Sequence, residues 1–137
     1  MAARQKIWDP LRRKMVTLTP EERVRQWMVA VLRDGAGVPV HQMMSEVEMH
    51  FGDADKTWRA DVLVYGRGGT PLTVVECKRP DVALTPAVLE QALRYDCVLD
   101  VRCIVITNGT ETRVYVREDG KWTGADHFLS YEEMLSL

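Results

Sequence analysis

Hydrophobic positions recur at helical spacing over residues 20–33, where Val24, Trp27, Met28, Val31 and Leu32 form one apolar stripe. Thr19 is a suitable N-cap for this helix, Pro20 suits its first position, and Glu22 completes a capping box. Gly35-Ala-Gly37 ends it. The period then shortens to two. Residues 41–51 alternate, with Met44, Glu46, Glu48 and His50 on one side and Val47, Met49 and Phe51 on the other. After a polar turn over residues 52–56, residues 58–65 and 72–78 read as two further strands joined by the turn Gly66-Arg-Gly-Gly69. Thr85 and Pro86 open a second helix that runs to about Leu99, with Val88, Leu89, Ala92, Leu93, Tyr95 and Leu99 on its buried face. Residues 102–107 (RCIVIT) are almost continuously apolar, as in a strand covered on both faces. Asn108-Gly109 turns the chain into a strand over 112–117, and Ser130 caps a short last helix. The predicted order is α-β-β-β-α-β-β-α, an α/β fold with a mixed central sheet flanked by helices.

Residues 1–18 lack periodicity and are expected to form an arm, with a short helical piece around Trp8 to Met15; residues 19–137 form a single domain. At 137 residues the chain suits one hydrophobic core. No apolar run approaches the roughly 20 residues of a membrane span, and no apolar stretch follows Arg4 and Lys6 as in a secretory signal. Three cysteines (Cys77, Cys97, Cys103) without CxxC spacing fit buried thiols in a reducing cytoplasm. The Met and Trp residues read as core. The net charge of −2 conceals an asymmetry: residues 1–33 carry eight basic and three acidic groups, a net of +5, which leaves −7 for the remainder. Such a leader fits either a solvated arm or a contact to a polyanion.

Ionisable residues interrupt the apolar strands at three positions: Asp61 in RADVLVY, and Glu76 and Lys78 in LTVVECK. Glu76 and Lys78, two apart on one strand, project from the same face, with Cys77 on the other. The intervening hairpin brings Asp61 to the neighbouring strand. Burying these groups is costly without partners of opposite charge. Two readings account for them equally well. One is a salt-bridged trio at a sheet end. The other is a site for Mg2+, which takes oxygen ligands from one or two carboxylates plus substrate phosphate, with Lys78 beside it to orient or deprotonate a water or to balance phosphate charge.

Asp61 followed by Glu76-Cys-Lys78 resembles the PD-(D/E)XK nuclease superfamily. The longer ordered set is Leu18-Thr-Pro-Glu-Glu, Arg59-Ala-Asp61, residues 75–82 (VECKRPDV), Leu84-Thr-Pro, Gln91-Ala-Leu-Arg-Tyr95 and Ile106-Thr-Asn-Gly109. It is similar to small proteins built like the N-terminal nuclease domain of type I restriction enzyme R (HsdR) subunits, over residues 18–109. The resemblance implies a restriction-endonuclease-like fold and Mg2+-dependent hydrolysis of DNA, with Mn2+ able to substitute. It implies that Asp61, Glu76 and the backbone carbonyl of Cys77 ligate the ion, that Lys78 activates or positions the attacking water, and that Gln91 takes part in the site. The resemblance also implies an auxiliary carboxylate from the first helix. Glu22 is engaged by the capping box, whereas helix phase puts Glu21 nearer the sheet. Ala60 stands where the superfamily's name places a proline.

Arg79 fits a phosphate contact or a solvated surface, and Tyr95 fits packing better than substrate contact. Glu46 and Glu48 fit a solvated strand face better than metal ligation, and Arg59 lies on the side of Asp61. His41, His50 and His127 have no metal-ligand spacing. The chain has no Gly-x-x-x-x-Gly-Lys-Ser/Thr loop and hence no ATP motor among these residues. Sequence specificity or translocation is therefore expected from a protein partner. Cutting both strands with one site per chain favours a homodimer. The alternative function is a catalytically weak or inactive nuclease-fold module that binds nucleic acid or a partner protein.

Overall fold

The computed structural model describes residues 4–50, 57–94 and 99–137. The N-terminal segment is not helical. β1 (Lys6–Asp9) and β2 (Lys14–Thr17) pair antiparallel as a hairpin, with Trp8 opposite Met15 and Asp9 opposite Lys14. Asp9 closes the turn locally, because its carboxylate accepts the Leu11 N–H at 2.9 Å and its carbonyl accepts the Arg13 N–H at 2.8 Å. Arg13 takes the left-handed conformation there, at φ 55°. Such self-bonding by aspartate competes with helix formation.

α1 (Pro20–Ala30) begins at Thr19, whose Oγ1 accepts the Glu22 N–H at 3.1 Å. The reciprocal half of the expected capping box is replaced. The Glu22 carboxylate turns to Arg12, Arg25 and Gln26 instead. A π-helical turn over Val31–Gly35 ends the helix. Val24, Met28 and Leu32 of the predicted stripe are buried, whereas Trp27 is exposed, since its phase carries it past the edge of the stripe.

A six-stranded sheet follows, ordered β3-β4-β5-β6-β7-β8. Its strands are β3 (Met43–His50), β4 (Thr57–Tyr65), β5 (Pro71–Cys77), β6 (Cys103–Thr107), β7 (Thr112–Glu118) and β8 (Lys121–Gly124). β5 and β6 are parallel, joined across α2 (Pro86–Leu93), and the other neighbours are antiparallel. The Gly66-to-Gly69 segment is the expected hairpin turn, with Gly68 and Gly69 at positive φ. β8 has no counterpart in the hydrophobic pattern because it is a short, largely exposed edge strand. The Asp119-Gly120 pair before it, with both φ positive, is the hairpin signal that marks it. α2 ends earlier than expected, at Leu93, and Leu99 lies outside it.

The side chains of the sheet divide between two cores. Val62, Val64, Val75, Val105, Val114 and Val116 pack with Val24 and Met28 of α1, Leu32 of the π-helical turn and Met134 of α3 (Tyr131–Ser136). Leu63, Val74, Ile104 and Ile106 pack with Ala92 of α2. The result is the expected α/β sandwich. Trp8, Trp27, Met15 and Met44 are exposed, contrary to the core reading, while Met28, Met43 and Met134 are buried. Cys77 and Cys103 are free, buried thiols, and Cys97 lies outside the described residues.

Candidate active site

β4 and β5 are in register at Val62↔Val75, so Asp61 and Glu76 are next in line on neighbouring strands. On the other side of β4, the ladder with β3 runs through Ser45↔Val62 and Val47↔Ala60 and skips the position between them, where Glu46 adopts φ 52°. Alternation breaks here too: Ala60 and Leu63, three apart, join the same core cluster. This irregularity lets Asp61 turn toward α1. Its Oδ2 accepts the Cys77 N–H at 2.7 Å and its Oδ1 accepts from Nη2 of Arg25 at 2.8 Å.

Arg25 lies on the inner face of α1 with Val24, Met28 and Val29, and only 6% of it is exposed. Besides Asp61 it reaches Glu22 at 2.7 Å, Glu46 at 3.5 Å and Glu21 at 3.7 Å. Its Nε is buried without a hydrogen-bond partner among the described residues. Arg12, at the tip of the hairpin, adds ion pairs to Asp9, to Glu22 and, at 3.1 Å, to Glu46. Five carboxylates (Asp9, Glu21, Glu22, Glu46, Asp61) thus share two guanidinium groups, a formal charge of −3 in a largely desolvated cluster. Burial raises the pKa of Asp9, but hydrogen bonds from Arg12, the Leu11 amide and Gln26 outweigh it and hold the group below its ordinary value. Burial works against the charged form of Arg25 as well, and its hydrogen bond to Asp61 and the surrounding carboxylates more than offset this. A cavity of about 350 Å3 opens beside the cluster, lined among others by Arg12, Glu21, Glu22, Arg25 and Glu46.

Glu76 and Lys78 stand on one side of β5, with Lys78 Nζ 3.1 Å from Glu76 Oε1. The Lys78 N–H donates to the Thr107 carbonyl at 2.8 Å, which pins this strand end to β6. Cys77, between them, faces the α1 core. Burial raises its thiol pKa well above the ordinary value, and the charges of Asp61, Glu76 and Glu21 add to this. Glu21 is therefore near the strand end although half-exposed, while Glu22 is the buried member of the pair, facing Arg12 and Arg25. Gln91 is exposed on α2, and its backbone carbonyl accepts the Arg94 N–H at the end of the helix. Arg79 is exposed and pairs with Asp81 at 3.0 Å. Arg59 reaches Glu48 at 3.3 Å. Tyr95 lies outside the described residues.

Two sequence expectations change here. Glu46 is not on a solvated face: its left-handed backbone directs it into the arginine cluster. Arg12 and Arg25 did not stand out among the other cations. Arg25 follows Glu21 and Glu22 by four and three residues and precedes Met28 and Val29 by three and four, so helix phase does mark it as inward-facing. The oxygen donors Asp61, Glu76 and the Cys77 carbonyl have the chemistry that Mg2+ prefers. In this arrangement the side-chain donors are already engaged by protein groups. Both oxygens of Asp61 are engaged, Glu76 is paired with Lys78, and no set of three His, Cys, Asp or Glu side chains converges for a metal among the described residues.

Residues 20–128 match the family described as type I restriction enzyme R protein N terminus. No curated protein matches the chain. Among solved structures, it is similar to a fragment described as an HsdR subunit of a type I restriction enzyme from Vibrio vulnificus, with a TM-score of 0.64 and 20% identity over 87% of this chain. The match spans 25% of the length of that Vibrio chain. It is also similar to a protein from Anabaena variabilis described as a nuclease belonging to DUF820, with a TM-score of 0.52 and 16% identity over 90% of this chain and 86% of that one. At these identities the two structures establish the fold, a mixed α/β sheet sandwich. The family match extends from the first residue of α1 through Asp61, Glu76 and Lys78 to the loop before α3, and the chain belongs to the type I restriction enzyme R protein N-terminal family.

Proposed function

We propose that this chain hydrolyses phosphodiester bonds in DNA with the help of Mg2+, for which Mn2+ can substitute. The observation that carries the reading is a buried Asp61 beside the Glu76–Lys78 pair at the end of β5, within the span of the family match. Asp61, Glu76 and the Cys77 carbonyl would hold the ion. Bound Mg2+ supplies Lewis acidity and lowers the pKa of a coordinated water. Lys78, within reach of Glu76, orients or deprotonates that water or offsets charge on the phosphate. Gln91 positions water or substrate, Arg79 and Tyr95 are candidate substrate contacts, and Glu21 or Glu22 supplies the auxiliary carboxylate. Glu21 is the better placed for that role, because Glu22 is enclosed by two arginines. As it stands Arg25 holds the carboxylate that the ion requires, so the Arg25–Asp61 pair competes with an ion on Asp61.

That pairing favours a second reading, a nuclease fold that binds nucleic acid or a partner protein while cutting weakly or not at all. Membership of a restriction-enzyme family supports DNA as the substrate and a partner subunit as the source of specificity or translocation, with homodimerisation as the route to double-strand cuts. No helix among the described residues is long and apolar enough to cross a membrane, in keeping with action in the cytoplasm. The test is incubation with plasmid and linear DNA in Mg2+ or Mn2+. Cleavage lost in Asp61→Asn and Lys78→Ala supports the enzyme. Cleavage that survives both substitutions overturns the assigned roles. DNA binding without any cleavage selects the module.

A further inference from the structure

The hairpin has two unlike sides. Asp9, Val16 and the tip residue Arg12 face the body of the protein, where Arg12 joins the carboxylate cluster that includes Glu22 and Glu46. The register Lys6↔Thr17 and Trp8↔Met15 places Lys6, Trp8 and Met15 together on the opposite side. There Trp8 is 55% exposed and its cross-strand neighbour Met15 is 53% exposed. An indole laid bare on a two-stranded ribbon gains nothing from the core and is costly to hydrate. The hairpin also carries several exposed cations. Arg4, Lys6, Arg13 and Lys14 are exposed, and none has a carboxylate partner among the described residues. Elsewhere Arg33, Arg67, Arg79, Arg113 and Arg117 each have one, whereas Arg23, Arg94 and Lys121 are exposed without one among the described residues. The sole carboxylate of the hairpin, Asp9, is buried and turned inward.

We propose that this outer face of the hairpin is a contact for single-stranded or locally unpaired DNA, with Trp8 stacking on a base, Met15 flanking it, and Lys6 and the exposed turn residue Arg13 meeting the phosphates. The inference rests on DNA being the ligand of this chain and adds where and in what form it is held. Unpartnered cations complement a polyanion. The exposed indole selects a strand whose base faces are accessible over a duplex, whose faces are stacked away. An acidic protein surface would satisfy the cations but has no comparable use for the ring.

The test is fluorescence anisotropy of labelled single-stranded and duplex oligonucleotides with the full chain in EDTA, so that neither cleavage nor the metal enters. The wild type is expected to bind the single strand more tightly. Trp8→Ala should weaken that binding about tenfold or more, and Trp8→Phe should restore most of it. Lys6→Ala should lower the slope of log affinity against log salt by about 0.7, the value for one phosphate contact on a single strand. Lys121→Ala, an exposed cation on β8, should bind as wild type. Circular dichroism melts verify folding, and the Lys6 variant tests the face even if the tryptophan variants unfold. Wild-type affinity in the Trp8 and Lys6 variants overturns the inference, as does equal loss in Lys121→Ala, a preference for duplex, or no binding by the wild type. Asp61→Asn separates this inference from the catalytic reading: it should stop cleavage and leave anisotropy unchanged. Cleavage by Asp61→Asn with the hairpin losses intact would sink the catalytic roles alone.

Discussion

With Nη2 on Asp61 and Nη1 on Glu22, the Arg25 guanidinium makes it possible to bury two carboxylates under α1. Removing one member of such a cluster leaves desolvated charge uncompensated, a loss of roughly 3–5 kcal/mol. Arg25→Gln should therefore lower Tm in buffer without divalent ions. If Asp61 is a ligand, Mg2+ should recover more stability in this variant than in the wild type, because the competing cation is gone; at 100 times Kd the gain is about 2.7 kcal/mol. Differential scanning calorimetry with and without Mg2+ checks this, and equal Mg2+ shifts in both proteins would count against competition at Asp61. The thiols provide a second prediction at this scale. Burial raises Cys77 well above its ordinary value and pushes Cys103 up to about 11, so both are neutral at pH 8. In a Cys97→Ser background, a thiol reagent at pH 8 should modify neither until the protein unfolds. Asp61, Glu76 and Lys78 were legible in the sequence because each interrupts an apolar strand. Arg25 was not singled out, because the group that accounts for its burial, Asp61, is 36 residues away and meets it only in the folded chain.

Turns and caps carry the elements into place, and Asn108 is the clearest case. Its Oδ1 accepts the N–H groups of Thr110 and Glu111 at 2.9 and 2.7 Å, while its Nδ2 donates to the Val82 carbonyl at 2.9 Å. The side chain thus ties the β6–β7 turn to the loop that follows Lys78. Asn108→Asp keeps both acceptor contacts and loses the donor, so it should cost about 1–3 kcal/mol and speed amide exchange at Val82, whose N–H closes a turn onto Arg79. Asp9 plays the corresponding part in the hairpin. Because its folded pKa is depressed, the stability it contributes is fully present above its ordinary value of 3.8 and is lost as pH falls through the lower folded value. The Tm difference between wild type and Asp9→Asn should be constant near neutral pH and shrink below about pH 3.8. Helix starts at Thr19, Thr85 and Ser130 could be read from local chemistry, and in each the side chain accepts the expected amide. The β1–β2 hairpin could not, because strands of only four residues leave too short an alternation to register.

At the scale of the molecule, the +5 of the first 33 residues and the −7 of the rest are not two separate regions. Arg12 and Arg25 are spent on carboxylates of α1 and the sheet, whereas Lys6 stands on the outer side of the hairpin, Lys14 on the side of Asp9, and Arg4, Arg13 and Arg23 are exposed. Charge counting showed the asymmetry but not this division, which depends on where the hairpin docks. A solvated arm and a docked hairpin differ in what its removal does. Deleting residues 1–17 from a solvated arm would leave Tm unchanged. Here it strips Arg12 from Glu22 and Glu46, leaving Asp61, Glu21, Glu22 and Glu46 around Arg25 alone. It also uncovers the inner face on which Val16 packs. Because Arg12 is partly exposed, the expected loss is near the lower end for a buried pair, about 3 kcal/mol. At roughly 3–4 °C per kcal/mol for a chain of this size, Tm should fall by about 10 °C. Arg12→Met in the full chain should reproduce a substantial part of that fall while keeping the outer Trp8 face. If the truncated chain melts with the full one, the cluster does not depend on the hairpin, and residues 1–17 are the arm that their irregular sequence suggested.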